Sequence, residues 1–412
     1  MKHQNAFGAA LLQVVALPVA LPVALVTGIG TARAADPASG ITFDAAYIAE
    51  PARNMSGGLQ TGGTYLDNLD LSLAADRGSI FGIPGLSGLL YVLYNSDNDF
   101  NEKYVGAAQI ASNIDGASGL RLYEAWLDWA PGEAEAFSAR FGLYDVNTEF
   151  DVTETAGLFL NGAHGTGTDF GQTGENGPSI YPVTSLGLRL KVTGASGTYG
   201  QLAVLDGVAG DPDDPESNRI DLSSDDGALL MAEGGWSGGA WRKLAIGLWR
   251  YTANFDELNG TEPSGAPATS HGNQGWYAIA DRTLWTGDGP TLAGFLRLGQ
   301  AEDTFNTFDG YLGAGVSLAG FWSARPDDAL GLGVANAFTG DDYQDAQKLA
   351  GSSPDREETT IELTYRAPVT DWLTIQPDIQ YVINPGVNPA LDNALVILLR
   401  FELSFSKPLT GG

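Results

Sequence analysis

The sequence predicts an all-β chain: a 16-stranded antiparallel transmembrane β-barrel with one long loop folded into its lumen. Three observations predict it. Sixteen segments show period-two patterning, long and short connections alternate between them, and several strands set an apolar face against a polar or charged one.

The segments begin near Ile41, Thr64, Leu86, Leu120, Ala136, Ser185, Thr198, Leu229, Trp241, Trp276, Thr291, Gly310, Ala329, Glu358, Trp372 and Asn393. The last is the clearest: Leu395, Ile397, Leu399, Phe401, Leu403 and Phe405 share one face, and Val396, Leu398, Arg400, Glu402 and Ser404 share the other. A strand alternates its side chains between faces, so this segment has one wholly apolar side and one mixed side. The segment from Thr360 sets Ile361, Leu363 and Tyr365 against Glu362, Thr364 and Arg366. From Trp372, Leu373, Ile375, Ile379 and Tyr381 oppose Thr374, Gln376, Asp378 and Gln380, with Pro377 predicting a bulge or a lost ladder bond. Trp129, Trp372 and Tyr381 suit the aromatic belts at the membrane surfaces.

The connections carry the orientation. Those at 145–184, 206–228, 252–275 and 339–357 are long, whereas 131–135, 194–197, 237–240, 287–290 and 368–371 are short. Short periplasmic turns and longer external loops are the asymmetry of an outer-membrane barrel. The 145–184 segment exceeds ordinary loop length and opens on apolar Leu158, Phe159 and Leu160, which suits a segment that folds inward and narrows the lumen.

Residues 1–34 read as a secretory leader: Lys2, an apolar run broken by Pro18 and Pro22, and small residues before an exit after Ala34. Residues 35–412 then form the barrel domain. Beyond the leader no apolar run approaches the roughly 20 residues of a membrane helix, whereas β-strands span with about 9–11. A mean hydropathy of −0.06 is compatible with a barrel whose inner face is polar. No cysteine is present, which excludes a disulfide framework or thiolate metal site. With 21 Lys and Arg against 50 Asp and Glu, nucleic acid is excluded as a partner.

Inward charges at Arg140, Arg189, Glu362, Arg366, Arg400 and Glu402 would be costly in a dry core. A water-filled lumen removes that cost, and sixteen strands enclose an aqueous channel. Past the leader the histidines are His164 and His271, neither in a nucleophile motif, and no GxSxG elbow occurs, so the reading is a channel and not an enzyme, with no cofactor. The acidic run Asp211, Asp213, Asp214, Glu216, Asp221, Asp225 and Asp226 lacks calcium-loop spacing and reads as a solvated loop, with loose divalent-cation bridging to lipopolysaccharide phosphates as the alternative.

Several stretches together resemble the carbohydrate-selective porin family (OprB type): TYLDNLDLSL from Thr64, LYEAWLDW from Leu122, RFGLYDVNTEFDVTETAGLFLNGAHGTG from Arg140, GPSIYPVTSLGLRLK from Gly177, and ETTIELTYRAPVTDWLTIQPDIQYVINPG from Glu358 with the final strand. The resemblance implies a sixteen-stranded barrel of a Gram-negative outer membrane that passes glucose and related sugars through a narrowed channel. Barrels of this kind commonly end on an aromatic residue, whereas here Ser406 to Gly412 follow Phe405.

A neutral sugar offers hydroxyls on its rim and C–H groups on its faces, complemented by forked arginines, carboxylates and aromatic plates. Along Leu122–Trp129, Glu124, Trp126 and Asp128 are assigned to the lumen and Tyr123, Ala125, Leu127 and Trp129 to the outside, which makes Trp126 a stacking plate. Arg140, Arg189, Arg366 and Arg400 would either face Glu124, Glu362 and Glu402 across the passage or form with them a salt-bridge ladder that stiffens the barrel and touches no solute, with Phe159, Asn161 and His164 supplied by the loop. The alternative is a general or anion-preferring channel for small polar solutes, of which the anion-preferring kind would want a cationic excess there. Expected partners are small neutral sugars, outer-membrane lipid and lipopolysaccharide, and a homotrimer is one arrangement open to such a barrel.

Overall fold

The computed structural model describes residues 40–409 except 79, 97, 133–135, 213, 215–219 and 221; the expected leader, the last three residues, and Asp213, Glu216 and Asp221 of the acidic run lie outside them. The strands are β1 (Ile41–Ser56), β2 (Gly62–Ala75), β3 (Leu86–Asn95), β4 (Gly119–Trp129), β5 (Phe137–Tyr144), β6 (Ser185–Thr193), β7 (Thr198–Asp206), β8 (Ala228–Gly238), β9 (Trp241–Tyr251), β10 (Asn254–Thr261), β11 (Pro267–His271), β12 (Gln274–Thr286), β13 (Thr291–Ala301), β14 (Phe308–Ala319), β15 (Ala329–Thr339), β16 (Glu357–Thr370), β17 (Leu373–Ile383) and β18 (Ala394–Pro408). All but β10 and β11 pair antiparallel with their neighbours in one closed barrel. β1 closes it against β18, from Thr42 opposite Pro408 to Ser56 opposite Leu395. Closure satisfies the backbone along both edges, the condition for a sheet in lipid.

Each barrel strand begins within two residues of its expected start. The hairpin β10–β11 within the 252–275 connection was not expected, because Phe255 and Leu258 fall on opposite faces among polar residues and leave no apolar alternation. A helix, Asp341–Leu349, occupies the 339–357 connection.

The outward face is apolar. Leu120, Phe141, Leu202, Ile246, Leu248 and Leu332 are exposed there, and Trp129, Trp372 and Tyr381 are exposed with them. At Pro377 the outcome is a lost ladder contact without a bulge. Its pairing with Leu399 is in register, while on the other side the ladder passes from Thr364–Asp378 to Ala367–Ile375 without pairs for Tyr365 and Arg366.

One strand departs from its predicted facing. In β4 a bulge sets Tyr91 opposite Glu124 but Val92 opposite Leu122, so Tyr123 is the extra residue. The bulge turns Tyr123 inward, where it is 2 % exposed, and corrects its assignment to the outer face.

Candidate functional site

Two loops, not one, fill much of the lumen. The 145–184 segment does so through short 3-10 turns at Val146–Thr148, Thr155–Leu158 and Gly162–His164 and a helical turn at Thr168–Gly171. The loop between β3 and β4 joins it, carrying Phe100, Val105, Ala107, Ala111 and Ile114 into an apolar cluster with Leu160, Val396 and Leu398. This explains why the inner face of β18 opens with apolar residues: they meet a loop.

The barrel wall grips these loops by their backbones. Glu124 accepts the amide of Asp145 at 2.9 Å, and Glu233 that of Asp151 at 3.0 Å. Asp281 accepts the amide and hydroxyl of Thr155 at 2.7 and 2.6 Å. Glu362 takes the amides of Leu160 and Asn161 at 2.6 and 3.1 Å, and Glu358, four positions earlier on the same face, takes those of Ala108 and Gln109, each at 2.7 Å. A carboxylate bonded to amides in this way compensates the loss of water on both sides.

Arginines complete the grip. Arg189 lies 2.6 Å from Asp128 and 2.8 Å from Glu149 of the loop. Arg140 shares those partners at 3.2 and 3.6 Å and sits 3.8 Å over the Trp126 ring. Arg297 pairs with Asp151 at 2.7 Å and also with Asp169, both from the loop. Arg400 donates to Glu50 and, at 2.8 Å, to Asn113 of the other loop. The expectation that inward charges meet water is therefore corrected for Arg189, Glu362 and Arg400, which are at most 2 % exposed: loop carboxylates, amides and carbonyls replace the solvent.

The apolar opening of the long loop has a seat of its own. Leu158, Phe159 and His164 lie against Gly331 and Gly333 of β15, where an added Cβ at Gly333 would come within 2.9 Å of both Phe159 and His164. His164 stacks on Phe159 with centroids 4.7 Å apart. Burial pushes its imidazole down to about 3, so it is neutral, and its 3.9 Å approach to Glu362 is not an ion pair at neutral pH. Asn161 donates to Gln380 at 3.1 Å.

Beside these loops runs a cavity of about 1350 Å³. Of the residues expected at a solute site, Arg366 and Glu402 line it, 3.8 Å from one another. Glu124, Trp126, Asp128, Arg140, Arg189, Arg400 and Glu362 stand behind or beneath the loops, as do Phe159, Asn161 and His164 within the long loop. The lining holds seven carboxylates, among them Asp44, Glu154 and Asp371, against two cations, Arg242 and Arg366. Arg242 is paired with Glu154 at 2.7 Å. Sequence reasoning missed Arg242, Arg297, Asp281 and Glu358, although the period-two alternation that exposed Glu362 runs through their strands as well. It also missed Asn68, Asp70, Tyr91 and Tyr181, which line the cavity.

A closed barrel with an apolar outside, a lumenal cavity and loops folded in to narrow it is the build of an outer-membrane porin. The family model described as carbohydrate-selective porin, OprB family, matches residues 60–405, and the chain belongs to that family. It is accordingly a sugar porin of a Gram-negative outer membrane. Porin B of Pseudomonas aeruginosa is 26 % identical, covering 89 % of this chain and 88 % of its own. The high-pH structure of Pseudomonas putida OprB is similar, with a TM-score of 0.79 and 25 % identity over 89 % of this chain and 94 % of that one. The outer membrane channel DcaP of Acinetobacter baumannii shares the fold, with a TM-score of 0.53 and 10 % identity over 90 % and 99 % of the two chains.

Proposed function

We propose that the channel passes glucose and related neutral monosaccharides by diffusion, with the 145–184 loop as its constriction. The observation that carries this reading is the cavity lining, where both arginines are paired with carboxylates and carboxylates outnumber them. An anion-preferring channel needs unpaired cations along its path, so that alternative is disfavoured. The cavity exceeds the roughly 300–1,000 Å³ that encloses a bound small molecule, which suits a passage with weak sites in series.

Within this reading Arg366 and Glu402 touch the solute. Glu124, Asp128, Arg140, Arg189, Glu362 and Arg400 shape the constriction through the loops, together with Phe159, Asn161 and His164; Trp126 acts under the Arg140 guanidinium. Membrane lipid and lipopolysaccharide would cover the apolar outer face. A homotrimer contact is best placed at the outward Tyr47–Asp67–Tyr65 patch, where Tyr47 is 2.8 Å from each partner and a carboxylate faces the membrane side.

The test is single-channel conductance of the refolded protein in a planar bilayer, with glucose, maltose, succinate and phosphate added in turn. Block by glucose without comparable block by succinate or phosphate is the expected outcome, and Arg366→Ala should weaken it while leaving assembly intact. Stronger block by the two anions would overturn the reading.

A further inference from the structure

One wall of the cavity carries three tyrosines in contact. Tyr91 of β3 and Tyr123 of β4 stand edge to face, with centroids 5.0 Å apart, and Tyr123 meets Tyr181 in the same manner at 6.2 Å. Tyr91 and Tyr123 are each 2 % exposed, whereas Tyr181 is half-buried, so the last ring offers the solute most surface. The two inner hydroxyls are committed. Tyr91 donates to Asp70 at 2.6 Å, and Tyr123 donates to Asp145 at the start of the long loop. Asn68 donates to the same Asp70 oxygen at 2.7 Å, and the Tyr181 hydroxyl lies 3.2 Å from the Ile114 carbonyl and 3.4 Å from the Asn68 amide oxygen. Asn68, Asp70 and Asp145 all reach the cavity beside the rings.

Filling space alone would not require carboxylates at this wall, since Leu89 and Leu93 pack in the same cluster without them. The carboxylates fix the inner rings by their hydroxyls, and the inner rings hold the outer one edge to face, a geometry favoured by the aromatic quadrupole. An aromatic ring flanked by carboxylate and amide groups matches a pyranose, whose C–H groups lie on its faces and whose hydroxyls project from its rim.

We propose that Tyr181 is the stacking platform of a pyranose subsite rimmed by Asn68, Asp70 and Asp145, and that Tyr123 and Tyr91 are positioning residues that fix its plane. This rests on the sugar-porin reading and deepens it: the subsite selects ring-form sugars over open-chain polyols of similar size and hydroxyl number, which lack a flat C–H face.

The experiment is current block by glucose and by sorbitol in planar bilayers, on the parent chain and on Tyr181→Phe, Tyr181→Leu and Tyr181→Met. The parent should be blocked more strongly by glucose. Tyr181→Phe should stay within about twofold, whereas Tyr181→Leu and Tyr181→Met should lose roughly five- to tenfold of glucose affinity, the scale of one aromatic contact. Sorbitol block should stay unchanged, which a general distortion of the pore would not allow. Tyr123→Phe, which keeps the ring and loses the bond to Asp145, should weaken glucose block by less than Tyr181→Leu. Parent-like glucose block in whichever of the Leu and Met variants assembles overturns the subsite and leaves the sugar porin standing. Absence of glucose block in the parent overturns the sugar reading beneath it. Failure of both variants to assemble would show Tyr181 to be a folding residue and would also overturn the proposal.

Discussion

Glu362 and Leu160 stand 202 positions apart, yet the carboxylate of one receives the amide of the other and of its neighbour. The side chain contributes nothing to the strand ladder, so its removal should leave the barrel paired and loosen the loop. In Glu362→Ala two buried amides lose their acceptor, at about 1–3 kcal/mol for each unsatisfied group. The expected outcome is a correctly assembled channel with noisier, larger single-channel currents and faster proteolysis within 155–173. Currents as quiet as the parent's would refute this role. Arg297, on β13 three strands round the barrel from β16, acts on the same loop through Asp151 and Asp169, so the two anchors share the load. Both were within reach of the sequence as inward residues of alternating strands. Their partners were not, because a carboxylate facing inward looks the same whether it meets water, an arginine or a backbone amide.

At the scale of elements, the long loop and β15 are fitted to each other. The apolar run Leu158–Phe159–Leu160 would be an awkward segment for an outward loop; inside, Gly331 and Gly333 give Leu158 and Phe159 a flat seat, while Leu160 joins the apolar cluster with the β3–β4 loop. Gly333→Val should push Phe159 and His164 off that seat. Overpacking of a fitted site costs typically about 1–3 kcal/mol, enough to shift the loop toward an undocked state. Higher conductance and weaker sugar block are expected in the bilayer assay, while the barrel's β content by circular dichroism stays unchanged; a parent-like conductance would show that the loop does not dock there. The length and composition of this loop announced an inward fold. The β4 bulge had no such signal, because one extra residue in a strand of Leu, Tyr and Trp leaves the alternation readable in either facing. That single residue moves Tyr123 from lipid to lumen.

For the whole molecule, lipid outside and loops and solvent inside set opposite rules for the two faces of each strand. Leu363 faces outward at 45 % exposure, between Leu332 and Ile379 on the adjoining strands. Leu363→Arg should destabilise the barrel by about 2–4 kcal/mol if it lies near the bilayer midplane. Ser317→Arg, on the cavity wall, should change conductance with far less effect on stability. Urea unfolding in lipid vesicles distinguishes them, and equal losses in the two variants would contradict this division of faces. By itself the sequence determined the barrel: sixteen strands, their starts to within two residues, the faces it assigned along its strands except at Tyr123, and which connections are long. Those follow from a period of two and from turn residues, which are local. Only the tertiary structure decided which inward charges face the passage and which hold loops. It alone brought Asn68, Asp70, Tyr91, Tyr123, Asp145 and Tyr181 to one wall. Burial and pairing depend on contacts between segments far apart in the chain, and no local pattern encodes them.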